Sequence, residues 1–155
     1  MVVMAVEIER KFLVVGDDWR DGAVPSRIRQ AYLVRDPGRS VRVRDEDGRI
    51  TLTIKGPGTD PQGRSRSEYE YELPAADADG LFALCEPGMI DKTRHRVDVA
   101  GRTWEVDEFH GRLAPLVLAE VELDDADADV VLPHWAGREV TGEPAYTNGA
   151  LSRRA

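Results

Sequence analysis

Charged and apolar residues alternate one by one through much of this chain, and a period of two means extended strands with two chemically different faces. In the segment 6–15, Glu7, Glu9 and Lys11 fall on one face, and Val6, Ile8, Phe12 and Val14 on the other. Arg42 and Arg44 alternate with Val41 and Val43, and Thr51, Thr53 and Lys55 with Ile50, Leu52 and Ile54. Arg66, Glu68, Glu70 and Glu72 oppose Tyr69, Tyr71 and Leu73, and Lys92 and Arg94 continue the series. Glu105 and Asp107 alternate with Trp104 and Val106, and Glu120 and Glu122 with Val121 and Leu123.

The pattern and its Gly, Pro and Asp punctuation predict eight strands, at 6–15, 27–34, 40–44, 49–55, 65–73, 90–99, 102–109 and 116–123. AspGluAspGly at 45–48 and AlaGly at 100–101 read as hairpin turns. The stretch 56–63 is too rich in breakers for regular structure. A helix is expected from Asp77 through Cys85, ended by ProGly at 87–88, with shorter ones after Pro133 and over 147–154. A chain of 155 residues fits one domain, 1–155, of α+β but mainly β class.

A single strand with one charged face is explained by an antiparallel sheet wetted on one side. The set of strands is not. A merely solvated face mixes Thr, Ser, Gln and Lys, whereas here like charges recur two residues apart on one face, where they repel. An ionic ligand offsets that repulsion if carboxylates converge on a divalent cation and basic groups on an anion. Eight strands are enough to close a barrel. The expected fold is therefore an eight-stranded antiparallel closed barrel with a charged lumen, apolar outer faces and a few flanking helices.

Composition bounds the partners. A net charge of -8 opposes non-specific attraction to nucleic acid or an anionic membrane. The single Cys85 forms no intramolecular disulfide, and His95, His110 and His134 have no zinc-ligand spacing. No apolar run approaches the roughly 20 residues that span a bilayer, and Glu7 interrupts the apolar opening too early for a signal peptide. A cytoplasmic location is expected, and a homodimer stays open.

GluIleGluArgLysPhe at 7–12 resembles the Glu-x-Glu-x-Lys opening of the CYTH superfamily, the triphosphate tunnel metalloenzymes. The resemblance continues in order through GlnAlaTyrLeu at 30–33, ValArgValArg at 41–44, ThrIleLys at 53–55, ArgSerGluTyrGluTyrGluLeu at 66–73, AspLysThrArg at 91–94, TrpGluValAsp at 104–107 and AlaGluValGluLeu at 119–123. It ends in ValThrGlyGluProAlaTyrThrAsnGlyAlaLeu at 140–151, similar to short bacterial members. One such motif is weak; the ordered set is specific.

The resemblance implies an eight-stranded tunnel that binds a triphosphate with Mg²⁺ or Mn²⁺. It marks Glu7, Glu9, Asp107, Glu120 and Glu122 as metal-facing carboxylates, and Lys11, Arg42, Arg44, Lys55, Arg66, Lys92 and Arg94 as phosphate-binding. Glu68 and Glu70 match paired tunnel acids. Lys92 and Tyr32 match residues implicated in activating the attacking water, with Lys92 either a base or a clamp. The implied reaction is hydrolysis of a triphosphate, foremost tripolyphosphate, by in-line attack of water. Alternatives are a class IV type adenylate cyclase, a thiamine triphosphatase, or a non-catalytic polyphosphate or nucleotide sensor. Departures from the family pattern are His95, where an aromatic is expected, Ala145, where a basic residue is common, and the longer 56–63 loop. Trp19, Trp104 and Trp135 read as packing residues, and Asn148 as a helix cap.

Overall fold

The computed structural model describes residues 6–155, so residues 1–5, part of the apolar opening read above as too short for a signal peptide, lie outside the described residues. Nine strands form: β1 (Val6–Val14), β2 (Val24–Asp36), β3 (Arg39–Glu46), β4 (Arg49–Gly58), β5 (Ser65–Leu73), β6 (Ile90–Val99), β7 (Arg102–Phe109), β8 (Val117–Glu122) and β9 (Ala136–Glu139). Two short helices accompany them, α1 (Ala78–Ala83) and α2 (Asn148–Ser152). All pairings are antiparallel, in the order β5-β4-β3-β2-β6-β7-β8-β1-β9, and a further β1–β5 pairing closes the first eight into a barrel.

The expected turns form where the backbone enters the left-handed region. Asp47 and Gly48 join β3 to β4 with φ of 49° and 91°, and Ala100 and Gly101 join β6 to β7 with φ of 49° and 81°. Both are two-residue hairpin loops whose twist matches that of the strands. Asp45 Oδ1 accepts a bond from the Gly48 amide at 2.8 Å, which favours the first turn.

Three expectations are corrected. The segment after Pro133 is β9, not a helix: Lys11 O accepts from Val140 N at 2.8 Å, and Arg10 grips the Glu139 carboxylate through two bonds of 3.0 and 2.6 Å, drawing the segment onto the edge of β1. Asn148 is not the cap of α2; Thr147 Oγ1 accepts from Ala150 N at 3.1 Å, and Asn148 is the first helical residue. The strand β4 continues through Gly58 across a register shift after Lys55, so the irregular loop starts later than its composition suggests. That loop touches the C-terminal segment backbone to backbone: a Cβ on Gly63 would lie 2.8 Å from Gly142 Cα, and both glycines have φ of +73°.

The apolar residues lie mainly on the outside of the strands and are covered from there. Phe12, Trp104, Val106, Ala119 and Val121 pack with Trp19 and Trp135 in one cluster, as expected of the tryptophans. Val43 and Ile50 pack with Ala78, Leu81 and Phe82 of α1 in a second. A third fills one end of the lumen. Ile90, Phe109 and Leu118, with Leu13, continue the inward face of their strands and meet Val140 and Leu151 of the C-terminal segment.

Candidate active site

Antiparallel partners project from the same face of a sheet, so the register shows which charges share the lumen. Glu9 pairs with Glu122 and Lys11 with Glu120 across β1 and β8; Glu105 pairs with Glu120 across β7 and β8. Arg94 pairs with Asp107, Arg42 with Thr53 and Lys55 with Glu68. Going round the barrel, β3 and β6 contribute chiefly cations, β4 a lysine beside two threonines, and β7, β8, β1 and β5 chiefly carboxylates. The lumen thus has a basic half and an acidic half.

Two cavities open inside it. The inner one, about 180 Å³, is lined by Glu7, Arg42, Arg44, Lys55, Glu68, Glu70, Arg94, Glu120 and Glu122 among others. The outer one, about 600 Å³, takes in Glu7, Glu9, Lys11, Tyr32, Arg42, Lys55 and Arg66 and runs out between the 63–66 stretch and the C-terminal segment. Glu7, Arg42, Lys55 and Asn148 border both.

Some of these charges are paired. Lys55 Nζ donates to Glu7 at 2.6 Å and lies 3.4 Å from Glu68. Lys11 Nζ is 3.4 Å from Glu120 and donates to Tyr146 O at 3.0 Å. Arg94 holds Asp107 in a fork at 2.8 and 2.9 Å, and Lys92 adds a 2.7 Å bond to the same carboxylate. Lys92 and Asp107 are 0% and 2% exposed and border neither cavity. Arg66 donates to Gly56 O, and Glu70 accepts from Thr53 Oγ1.

Others are not. Arg42 is buried, its Nη2 donates only to Thr53 Oγ1 at 3.2 Å, and its Nε has no partner. Arg44 donates to Gln30 Oε1 at 2.9 Å. Neither arginine forms an ion pair among the described residues, and neither do Glu9 and Glu122 on the facing half. Arg42 is buried, Arg44 and Glu9 are half-buried and Glu122 lies exposed at the end of its strand; a buried charge such as that of Arg42 costs free energy unless a ligand satisfies it.

The titration of these groups follows. Burial, reinforced by Glu120 and Glu7, pushes Glu9 well above the usual carboxylate range. Burial and Glu7 push Glu68 up to about 7, and burial with Glu105 raises Glu122. Burial opposes ionisation of Glu120, but Lys11, Arg94 and Lys92 together outweigh it and hold the group down at about 2. Asp107, despite complete burial, is held far below the usual range by Arg94 and Lys92. Burial, only partly opposed by Asp107, takes Lys92 down to about 7. Burial, with Arg42 and Arg94 beside it, lowers Arg44 to about 9, which leaves it cationic at neutral pH.

The structure brings most of the residues expected from the sequence into one lumen, but separates Lys92 from Tyr32. Lys92 pairs with Ile28, four residues before Tyr32 on β2, a backbone separation of about 13 Å. Glu105, which borders the inner cavity and accepts from Arg94 at 3.1 Å, is an omission that the alternation itself could have supplied. Arg96 and Glu46, joined at 2.7 Å at the rim of the inner cavity, were also missed. So was Asn148, which carries no signal in a period-two pattern because it comes from a helix.

His95, one of the departures from the family pattern, faces outward against Trp19, with ring centroids 4.8 Å apart. It therefore lies away from the lumen.

The chain matches the CYTH domain over residues 5–150. It is 46% identical over 149 residues to the inorganic triphosphatase of Acetivibrio thermocellus, covering 96% of this chain and 94% of that protein. It is 38% identical over 154 residues to the inorganic triphosphatase of Nitrosomonas europaea, covering 94% of this chain and 96% of that one. A crystal structure of the inorganic triphosphatase NE1496 superposes with a TM-score of 0.65 at 33% identity, over 98% of this chain and 95% of the other. With its barrel, its two-sided lumen and these near full-length matches, the chain belongs to the CYTH domain family.

Proposed function

We propose that the chain hydrolyses inorganic tripolyphosphate to pyrophosphate and phosphate with the help of Mg²⁺ or Mn²⁺. One observation carries this reading: among the described residues Arg42 and Arg44 on one half of the lumen form no ion pair, and neither do Glu9 and Glu122 on the other half, although cations lie nearby. A polyanion bridged by a divalent cation satisfies both halves at once. The two relatives named inorganic triphosphatase point to the same chemistry.

The donor set fits a hard cation. Glu7, Glu9, Glu120 and Glu122 offer only carboxylate oxygens, the ligands that suit Mg²⁺ or Mn²⁺. No three acidic or imidazole groups among the described residues are gathered ready to hold an ion. Binding therefore calls for small side-chain movements, such as release of Glu7 from Lys55. A bound divalent ion would neutralise phosphate charge and polarise a phosphoryl oxygen.

The protein's own part is to position the chain and balance its charge, which is most of what phosphoryl transfer asks. The Arg42 and Arg44 forks suit two-point contact with phosphate oxygens, and Lys55 and Lys11 act as point charges. Arg94 reaches the inner cavity while anchored on Asp107. Lys92 lies behind that pair, so we assign it to holding Asp107 and Arg94 in place rather than to taking the proton of the attacking water. A pH–rate profile of Lys92→Arg that keeps its neutral limb supports this, whereas turnover recovered only at higher pH would restore the base role.

Phosphate release from tripolyphosphate, ATP and thiamine triphosphate, each with Mg²⁺, Mn²⁺ or excess chelator, tests the whole reading. Metal-dependent turnover fastest on tripolyphosphate, and about 10²–10³-fold slower in Glu7→Gln, is the expected result. Tight binding with no turnover of any substrate would sink it in favour of a sensor.

A further inference from the structure

Every side chain bordering the inner cavity is charged except one, Asn148. It borders the outer cavity too, so it stands at the junction of the two. The cavities differ in chemistry. The inner one suits phosphate alone, whereas Tyr32, Val140 and Pro144 give the outer one surfaces fit for an organic group.

Asn148 is held firmly by its neighbours while its own side chain stays free of hydrogen bonds among the described residues. Two positions earlier, Tyr146 O accepts from Lys11 Nζ at 3.0 Å, and the adjacent Thr147 caps α2. Leu151 is fully buried, and Ser152 Oγ accepts from Arg35 at 2.7 Å. An amide in this place has an N–H to donate to a phosphate oxygen, and it carries no charge that would fix a further phosphate or repel one.

We propose that Asn148 contacts the end of the phosphate chain and selects an unsubstituted triphosphate over longer chains and over triphosphates bearing an organic ester. The proposal rests on the triphosphatase reading above. A chain held at the junction, where Glu7, Arg42 and Lys55 border both cavities and Lys11 and Glu9 lie just beyond, meets Asn148 there, and a substituent on the end beside the amide has to pass it to run further into the outer cavity. A site built to bond a terminal group rejects an analogue that cannot meet it, because its polar group is then left unpaired.

The test measures kcat and KM for tripolyphosphate, tetrapolyphosphate and ATP in the unmodified chain, Asn148→Ala and Asn148→Asp, with melting curves under excess chelator in the presence of tripolyphosphate or ATP. Alanine is compatible with the helix and removes no internal hydrogen bond, so the fold should be kept. In Asn148→Ala the KM for tripolyphosphate should rise about tenfold, as for loss of one hydrogen bond to a charged group. The preference over tetrapolyphosphate and ATP should fall by a similar factor. Asn148→Asp should raise KM for all three, by like-charge repulsion. A proportional loss on all three substrates in Asn148→Ala, or no change in preference, overturns the proposal. If the unmodified chain fails to cleave tripolyphosphate, the functional reading falls and the melts decide on Asn148: stabilisation by tripolyphosphate must shrink relative to that by ATP, and equal shrinkage or none rejects the assignment.

Discussion

Replacing Asp107 by alanine lowers the free energy of unfolding by about 3–5 kcal/mol, the cost of leaving buried charges without their partner. Among the described residues Asp107 is the sole carboxylate bonded to Lys92 and one of two bonded to Arg94, and Lys92 has no exposed surface through which water could substitute. For a chain of this length the melting temperature should drop by about 10 °C or more. Urea unfolding followed by the fluorescence of the buried tryptophans measures it. Asp107→Asn, which keeps the shape and one acceptor, should lose less. A loss below about 1 kcal/mol for alanine would mean that water screens the triad as it screens a surface pair.

Glu9→Gln should move stability and activity in opposite directions. Glu9 faces Glu122 directly across β1 and β8 and makes no ion pair among the described residues. Removing one of two opposed like charges gains about 0.5–1 kcal/mol in chelator, while the loss of a metal-facing carboxylate should slow turnover by about 10²-fold or more. The pH dependence has a definite sign. The folded-state value of Glu9 is raised, so the folded chain binds more protons than the unfolded one, and Glu9 costs stability increasingly as pH climbs above the ordinary carboxylate range. The advantage of the glutamine variant should therefore vanish toward pH 4 and grow as pH rises to 8. Equal stability at pH 8 would show that Glu9 already has a compensating partner.

The barrel was readable because alternation is a local property. Glu7, Glu9 and Lys11 announce a two-faced strand without reference to anything distant, and so do Glu120 and Glu122. The residues that alternation could not reveal depend on where segments far apart in the chain meet. β9 reads as a short helix after Pro133, and its backbone pairing with β1 together with the grip of Arg10 on Glu139, 129 residues away in sequence, makes it a strand. Asn148 enters the lumen because Leu151 and Ser152 anchor α2, a packing event with no periodic trace. Lys92 and Tyr32 share a family pattern, but the β2 register puts them at different depths. The apolar stopper of Ile90, Phe109, Leu118 and Leu13 could have been found by continuing each charged stripe one or two steps further along its strand.

Among the described residues, the seam that closes the barrel joins β1 to β5 over three residue pairs, Val6 to Ile8, after which β1 turns that edge to β9. The outer cavity lies along that gap. Local opening of a fold starts where few buried contacts hold its backbone, so a change of partner along one edge of β1 is a place where this wall can widen. Because Glu7 sits on that seam, paired with Arg66, each such motion also displaces a carboxylate that we propose faces the metal. Any change in the strength of that seam is thereby transmitted to the site as a change in how long it holds its shape.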